Sequence, residues 1–334
     1  MHTFRTLLLL AAMLPTMHTA HAQGWMSRLD GGTPVARVAL PGTHDAATGD
    51  GFMGPDAADA ERLAQTQQKT IAQQWASGIR AFDLRPDVMA DGEGHATLHI
   101  FHGVFATKRT FESVVSQICD SLAATPTEFA VVVMRHESVA GRDGTAWARL
   151  MGECLARHAA QLATFSPAMT VSDARGKLLL ISRDAYDGPQ YGAMATGWAH
   201  GDDLPEATLS GDGGSATLLL QDFYDTSAPD GPTRKKAAIT ALATHRPGPD
   251  TWSINHTSGY AETTVYGTAD DMSTSRGYRL NAAATNRHLA RLLRHGHAAA
   301  GIVMMDFAAT DRADGTPVCG ATLTKAIIRS NFRP

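Results

Sequence analysis

Three stretches of the chain are apolar without a break: Phe129 to Met134, which is largely valine, Leu178 to Ile181, and Gly301 to Met305. A strand with one wet face alternates apolar and polar residues, whereas a strand covered on both faces does not. Coverage on both faces is the mark of a parallel sheet wrapped by helices. Segments with helical periodicity lie between the strand-like runs. Asp56 to Ala76 places Ala60, Leu63, Ala64, Ile71 and Trp75 on one face, and Thr110 opens a helix carrying Phe111, Val114, Val115, Ile118 and Leu122. Thr145 to Ala163, Thr233 to Thr244 and Ala282 to Arg294 read likewise. Shorter strands are expected at Pro34 to Leu40, Ile79 to Leu84, Ala96 to Phe101, Ala216 to Leu220 and Thr251 to Asn255. The alternation repeats about eight times and predicts an α/β chain folded as one distorted (β/α)8-type TIM barrel. The stretches Tyr186 to Ser215 and Tyr260 to Tyr278 read as long rim loops.

Composition bounds the function classes. The chain has 334 residues, 29 Lys+Arg and 33 Asp+Glu, for a net charge of -4, so nothing favours a nucleic-acid partner. Met1 to Ala22 begins with His2 and Arg5, continues through an apolar run centred on Leu7 to Leu10, and closes on Ala20-His21-Ala22. That pattern is expected of a secretory signal peptide, with residues 23–334 as the catalytic domain of an exported protein, secreted or periplasmic. Export would permit disulfides. The cysteines are Cys119, Cys154 and Cys319, and a Cys119–Cys154 bond stays open.

Barrel chemistry gathers where parallel strands end. The residues following each expected strand are His44-Asp45, Asp83-Leu84-Arg85, His102-Gly103, Arg135-His136-Glu137, Arg183-Asp184, Asp222-Phe223-Tyr224, Asn255-His256 and Asp306-Phe307. Every strand end thus carries polar or titratable groups. Two histidines can serve as base and acid in one displacement near neutral pH, an aspartate beside each can fix its tautomer, and an arginine can hold phosphate oxygens bidentately. His44 and His102 stand out among the 15 histidines because each follows a strand inside a glycine-containing turn. Together with Arg85 they make a minimal phosphodiesterase.

Pro41-Gly42-Thr43-His44-Asp45, Gly78-Ile79-Arg80-Ala81-Phe82-Asp83-Leu84-Arg85 and Phe101-His102-Gly103, in that order, resemble the catalytic X domain of bacterial phosphatidylinositol-specific phospholipase C. Val303-Met304-Met305-Asp306-Phe307 resembles its last strand. The resemblance implies that His44 is the general base toward the inositol 2-hydroxyl and that Asp306 orients it. It further implies that His102, partnered by Asp45, protonates the departing diacylglycerol oxygen, and that Arg85 binds the phosphate. The product would be a 1,2-cyclic inositol phosphate. Asp83, Gly103, Arg135, Arg183, Asp222 and Tyr224 would contribute to substrate binding, with an arginine at Arg135 where the bacterial enzymes carry a lysine. In the eukaryotic phospholipases C an acidic calcium ligand matches Arg85, so the resemblance implies an enzyme without a metal cofactor.

Two other readings compete. A glycerophosphodiester phosphodiesterase-like enzyme would want a metal-binding carboxylate cluster, which a cation at Arg85 opposes. A non-catalytic lipid or sugar-phosphate binding module would be free to lose a histidine. A phospholipid substrate requires a membrane surface as partner. Trp25, Phe52, Met53, Tyr260, Tyr266, Met272 and Tyr278 are the candidate contacts, although most of them read better as packed loop cores, on a chain expected to act as a monomer.

Overall fold

The computed structural model describes residues 24–90, 93–138, 144–245, 248, 250–260, 274–296 and 301–333. The expected signal peptide and the rim residues Tyr266 and Met272 lie outside the described residues. Strands β1 (Leu40–Thr43), β2 (Ala81–Leu84), β6 (Ala130–Met134), β7 (Leu178–Ser182), β8 (Ala193–Thr196), β9 (Glu206–Gly211), β10 (Gly214–Gln221), β11 (Thr251–His256) and β12 (Ile302–Met305) form a closed barrel. Its order around the ring is β1, β12, β11, β10, β9, β8, β7, β6, β2. Neighbours are parallel except at β9, which runs against both β8 and β10.

Two expectations about the barrel need correction. Ala96 to Phe101 is not a barrel strand. It belongs to β4 (Ala96–His102), which pairs antiparallel with β3 (Pro86–Ala90) and β5 (Phe105–Thr110) in a separate sheet. The gap is filled from the stretch read as a rim loop, since β8 and β9 both come from Tyr186 to Ser215. The first strand also starts later than Pro34, at Leu40, after a short helical turn over Val35–Arg37.

The apolar runs earn burial on both faces by alternation. Val131, Val133, Leu179, Ile181, Leu218 and Leu220 pack inward with Leu40, Ile254, Ile302 and Met304. Val132, Met134, Leu180, Val303 and Met305 pack outward with Phe111, Val114, Ile118 and Leu155 of the helices Phe111–Ala124 and Gly144–Arg157. Gly42 is required in β1, because a Cβ there would lie 2.8 Å from Met304 Sδ and 3.0 Å from Ala81 Cβ. At the N-terminal end of the strands, Trp25, Met26 and Val35 plug the barrel. There Arg80 Nε donates to Glu128 Oε2 at 2.9 Å, with both side chains fully buried.

The expected helix from Asp56 to Ala76 is two helices, Ala57–Ala64 and Ile71–Ala76. A capping box restarts the second: Thr70 accepts from the Gln73 amide, and Gln73 answers to Thr70. Residues 65–70 between them approach the catalytic strand ends. Gln67 Nε2 donates to the carbonyls of His44 (2.9 Å) and Met305 (2.8 Å) and so ties β1 to β12. Cys119, Cys154 and Cys319 are all free thiols, so the Cys119–Cys154 bond is absent.

Candidate active site

The C-terminal ends of β1, β2 and β12 and the turn after β4 converge on one buried cluster. His44 follows β1, and its Nδ1 lies 2.8 Å from Asp306 Oδ1 at the end of β12. Gly259 N–H donates to the second oxygen of Asp306 at 3.2 Å. A carboxylate can only accept, so Nδ1 of His44 carries the proton and Nε2 faces the cluster. Asp45 adopts a left-handed backbone, φ 45°, and Phe307 does the same beside Asp306, φ 52°. Non-glycine residues in this region store strain, and here both flank the proposed reacting groups.

Asp45 is the hub. Its Oδ2 is 3.2 Å from His44 Nε2 and 3.4 Å from His102 Nε2, and its Oδ1 is 3.1 Å from Arg85 Nε. The rings of His44 and His102 are 6.3 Å apart and nearly perpendicular. His102 reaches the site from the side sheet through the turn Gly103-Val104, where Gly103 takes φ 59°. The Gly103 N–H is donated to Glu137 Oε1 at 2.8 Å, so this glycine shapes the turn rather than offering a donor to substrate. His102 Nδ1 donates to the carbonyl of Ala64 at 2.6 Å, just where the helix Ala57–Ala64 stops. Its Nε2 therefore also faces the cluster. Tyr278 OH stands 3.3 Å from that Nε2.

Arg85 completes the centre. Nη2 donates to Asp83 Oδ2 at 3.1 Å and lies 2.7 Å from His44 Nε2. Burial pulls this guanidinium down, but Asp45, Asp83 and Glu137 outweigh it and hold its pKa well above the ordinary arginine value. Burial also pulls His44 down, yet Asp45 and Asp306 raise it to about 9. A guanidinium can only donate, so its close approach requires a lone pair on Nε2, while the aspartates make that nitrogen a strong base. Nε2 is thus contested between a cation that demands it bare and a carboxylate that would welcome its proton. Asp45 itself is held down to about 2, burial being overcome by Arg85, His102 and His44.

A wall of charged and aromatic side chains adjoins this centre. Asp222 accepts from Trp198 Nε1 at 2.8 Å and pairs with His200 Nδ1 at 3.0 Å. The Arg183 guanidinium lies over the Trp198 ring, 4.1 Å from its centroid. Arg135 is 3.6 Å from Glu137 and pairs with it. Arg135, Arg183, Asp184 and Trp198 nonetheless line a cavity of about 390 Å³. The Tyr224 ring sits 6.4 Å from that of His44, and its hydroxyl is 3.0 Å from Tyr278 OH. His44, Asp45, Asp83 and Arg85 meet directly with His102 and Asp306, while Arg135, Arg183, Asp222 and Tyr224 surround them.

Trp198, His200, Glu137 and Tyr278 also belong to this assembly without having been assigned to it. Trp198 and His200 lie in the stretch whose sequence reads as a rim loop. Tyr278 is buried, as are Trp25 and Phe52, in keeping with packed loop cores rather than membrane contacts. Tyr260 is half-buried and stacks on Tyr224. Among the described residues the exposed large hydrophobics are Met53 and Val104. They occupy adjacent segments, Met53 N–H donating to the Ala106 carbonyl at 3.0 Å.

His44, Asp45 and Asp83 are spaced closely enough to ligate a metal ion. Arg85 already sits 3.1 Å from a carboxylate oxygen of each aspartate, so a fixed positive charge stands where such an ion would compete.

No family model matches the chain. The 1-phosphatidylinositol phosphodiesterase of Staphylococcus aureus strain NCTC 8325 / PS 47 is 26% identical over 232 residues, covering 65% of this chain and 68% of that protein. The Listeria monocytogenes protein of the same name is 28% identical over 123 residues, covering 37% and 36%. A solved Staphylococcus aureus phosphatidylinositol-specific phospholipase C superposes with a TM-score of 0.72 at 22% identity, covering 92% of this chain and 98% of that one. In sequence over about two thirds of its length, and in fold, the chain is similar to bacterial phosphatidylinositol-specific phospholipases C. The Listeria monocytogenes phospholipase C of this family shares the fold at a TM-score of 0.66 and 21% identity, covering 92% and 98%. Within the family fold, the two imidazoles and the guanidinium of this chain face one another at the barrel mouth.

Proposed function

We propose that the protein is a phosphatidylinositol phosphodiesterase of the cyclising type. The observation that carries this reading is the convergence of His44 Nε2, His102 Nε2 and Arg85 on Asp45. Arg85 turns from His44 to the phosphate oxygens when substrate enters, which bares the lone pair of His44 Nε2. That nitrogen takes the proton of the inositol 2-hydroxyl, whose oxygen attacks phosphorus. Asp306 and Asp45 stabilise the imidazolium that forms. His102 Nε2 gives its proton to the glycerol oxygen as the phosphorus–oxygen bond breaks, and Asp45 supports the charged acid beforehand. The products are diacylglycerol and inositol 1,2-cyclic phosphate. Arg85 supplies the charge a metal would otherwise bring, so no metal cofactor is needed.

The head group fits the wall of Arg183, Asp222, Trp198 and Tyr224, with Arg135 at its edge. A Staphylococcus aureus enzyme of the family binds membranes, and Met53 with Val104, beside the His102 turn, offers an apolar point of contact with a bilayer. Residues 1–22 fit an export signal, and no helix among the described residues is long and apolar enough to cross a membrane. Incubation with phosphatidylinositol vesicles tests the reading: diacylglycerol accumulates, whereas phosphatidylcholine vesicles give none. No diacylglycerol from phosphatidylinositol contradicts it.

A further inference from the structure

His256 ends β11 and has no role in the mechanism above, yet its position is hard to explain by packing. The side chain is buried. Nδ1 lies 2.9 Å from Ser258 Oγ and 3.9 Å from Asp222 Oδ1. Nε2 is buried as well and has no hydrogen-bond partner among the described residues. Burial lowers the imidazole to about 4, so the ring is neutral at ordinary pH and its unpartnered nitrogen is a real cost to the fold. Buried polar atoms are normally satisfied, and the exceptions call for a reason.

The surroundings supply one. The His256 ring stands 6.2 Å from the ring of His44 and 6.2 Å from that of Trp198, nearly perpendicular to both. It therefore sits between the base and the wall on which Arg183 stacks and from which Trp198 donates to Asp222. A hydroxyl held at His44 Nε2 for attack has two ring neighbours in inositol. One bears the phosphate, and the other bears the 3-hydroxyl.

We propose that His256 Nε2 hydrogen-bonds the inositol 3-hydroxyl, next to the attacking one and away from phosphorus, making the site selective for a free vicinal diol. The inference deepens the phosphodiesterase reading and rests on it. His256 is a specificity determinant: it does not exchange protons with the reacting atoms. A substrate hydroxyl satisfies the orphaned nitrogen, and a head group lacking it leaves the nitrogen unpaired in the complex.

The test uses a monodisperse short-chain phosphatidylinositol and its 3-deoxy analogue, with the wild type, His256→Gln, His256→Asn and His256→Phe, each checked by thermal unfolding. Wild type should lose at least about tenfold in kcat/KM with the deoxy substrate. His256→Phe should treat the two substrates alike. A glutamine amide reaches the place of Nε2 and an asparagine amide only that of Nδ1, so Gln should keep part of the preference and Asn should behave as Phe. A purely structural histidine predicts the reverse order, with Asn, which preserves the Ser258 contact, the mildest change and both substrates losing equally. Calorimetric binding of free myo-inositol and its 3-deoxy analogue reads the same preference without turnover. Preserved discrimination with no turnover overturns the reaction assignment and keeps the His256 role. Turnover in which wild type ignores the 3-hydroxyl, or His256→Phe keeps the preference, overturns the His256 role alone.

Discussion

The barrel holds an arginine at each end, Arg80 fully buried and Arg85 partly exposed, and the two are handled differently. At the floor, Arg80 Nε meets Glu128 at 2.9 Å, and Nη1 donates to the carbonyls of Trp75 (2.9 Å) and Ile79 (2.7 Å). Its guanidinium lies on the Trp75 ring, and Glu128 also accepts from Met26 N–H. At the mouth, Arg85 Nε is 3.1 Å from Asp45 but misaligned for a hydrogen bond, and neither Asp45 side-chain oxygen has a hydrogen-bond partner among the described residues. Arg85 Nη2 presses on an imidazole nitrogen instead. Burial brings Arg80 down to about 10, whereas at Arg85 the surrounding carboxylates overcome burial. The floor ion pair is finished; the mouth cluster holds charge in a geometry that a phosphate would complete. Buried pairs with every group satisfied hold a fold in register, and unsatisfied ones mark where a ligand belongs.

The comparison breaks most easily at the mouth. His44→Ala and His102→Ala should each cost turnover on phosphatidylinositol at least about a hundredfold, with unfolding temperatures near wild type. Arg85→Gln should lower kcat/KM by about 10² to 10³, the loss typical of one transition-state charge donor. At the floor the readouts exchange: Arg80→Met should lose about 3–5 kcal/mol of stability, since Glu128 is left buried and unpaired, while the folded fraction keeps its kcat/KM. A floor variant that slows chemistry without unfolding would erase the distinction.

A subtler difference appears with pH. His256 has its pKa lowered to about 4 in the folded protein. Between roughly pH 6.5 and 4 the unfolded chain therefore binds a proton that the folded one refuses, and stability falls as pH falls through that window. In denaturant titrations across this range, His256→Phe should show a shallower decline than wild type. An equal slope would mean that the imidazole is not held neutral.

Much of the site could be read from the sequence because its residues sit at strand ends. His44, Arg85 and Asp306 follow short apolar runs, and burial of those runs fixes where the next side chains emerge. His102 was placed correctly at a strand end, but on the wrong sheet. Alternation in Ala96 to Phe101 announces a strand and says nothing of its partners. β8 and β9 escaped notice because Ala193–Thr196 is short and Glu206–Gly211 alternates with polar residues and ends on glycine. The helix break at residues 65–70 did carry a local signal, the Thr70-x-x-Gln73 capping box. Tyr278 carried none: it meets His102 across 176 residues of chain, a contact only the folded barrel creates.

Phosphorus NMR of phosphatidylinositol turnover in EDTA asks whether two imidazoles and a guanidinium cleave the phosphodiester by internal attack without a metal. The five-membered cyclic phosphate should appear first, at a rate unchanged by the chelator. Turnover abolished by EDTA, or an acyclic inositol phosphate formed with no cyclic precursor, would contradict that mechanism.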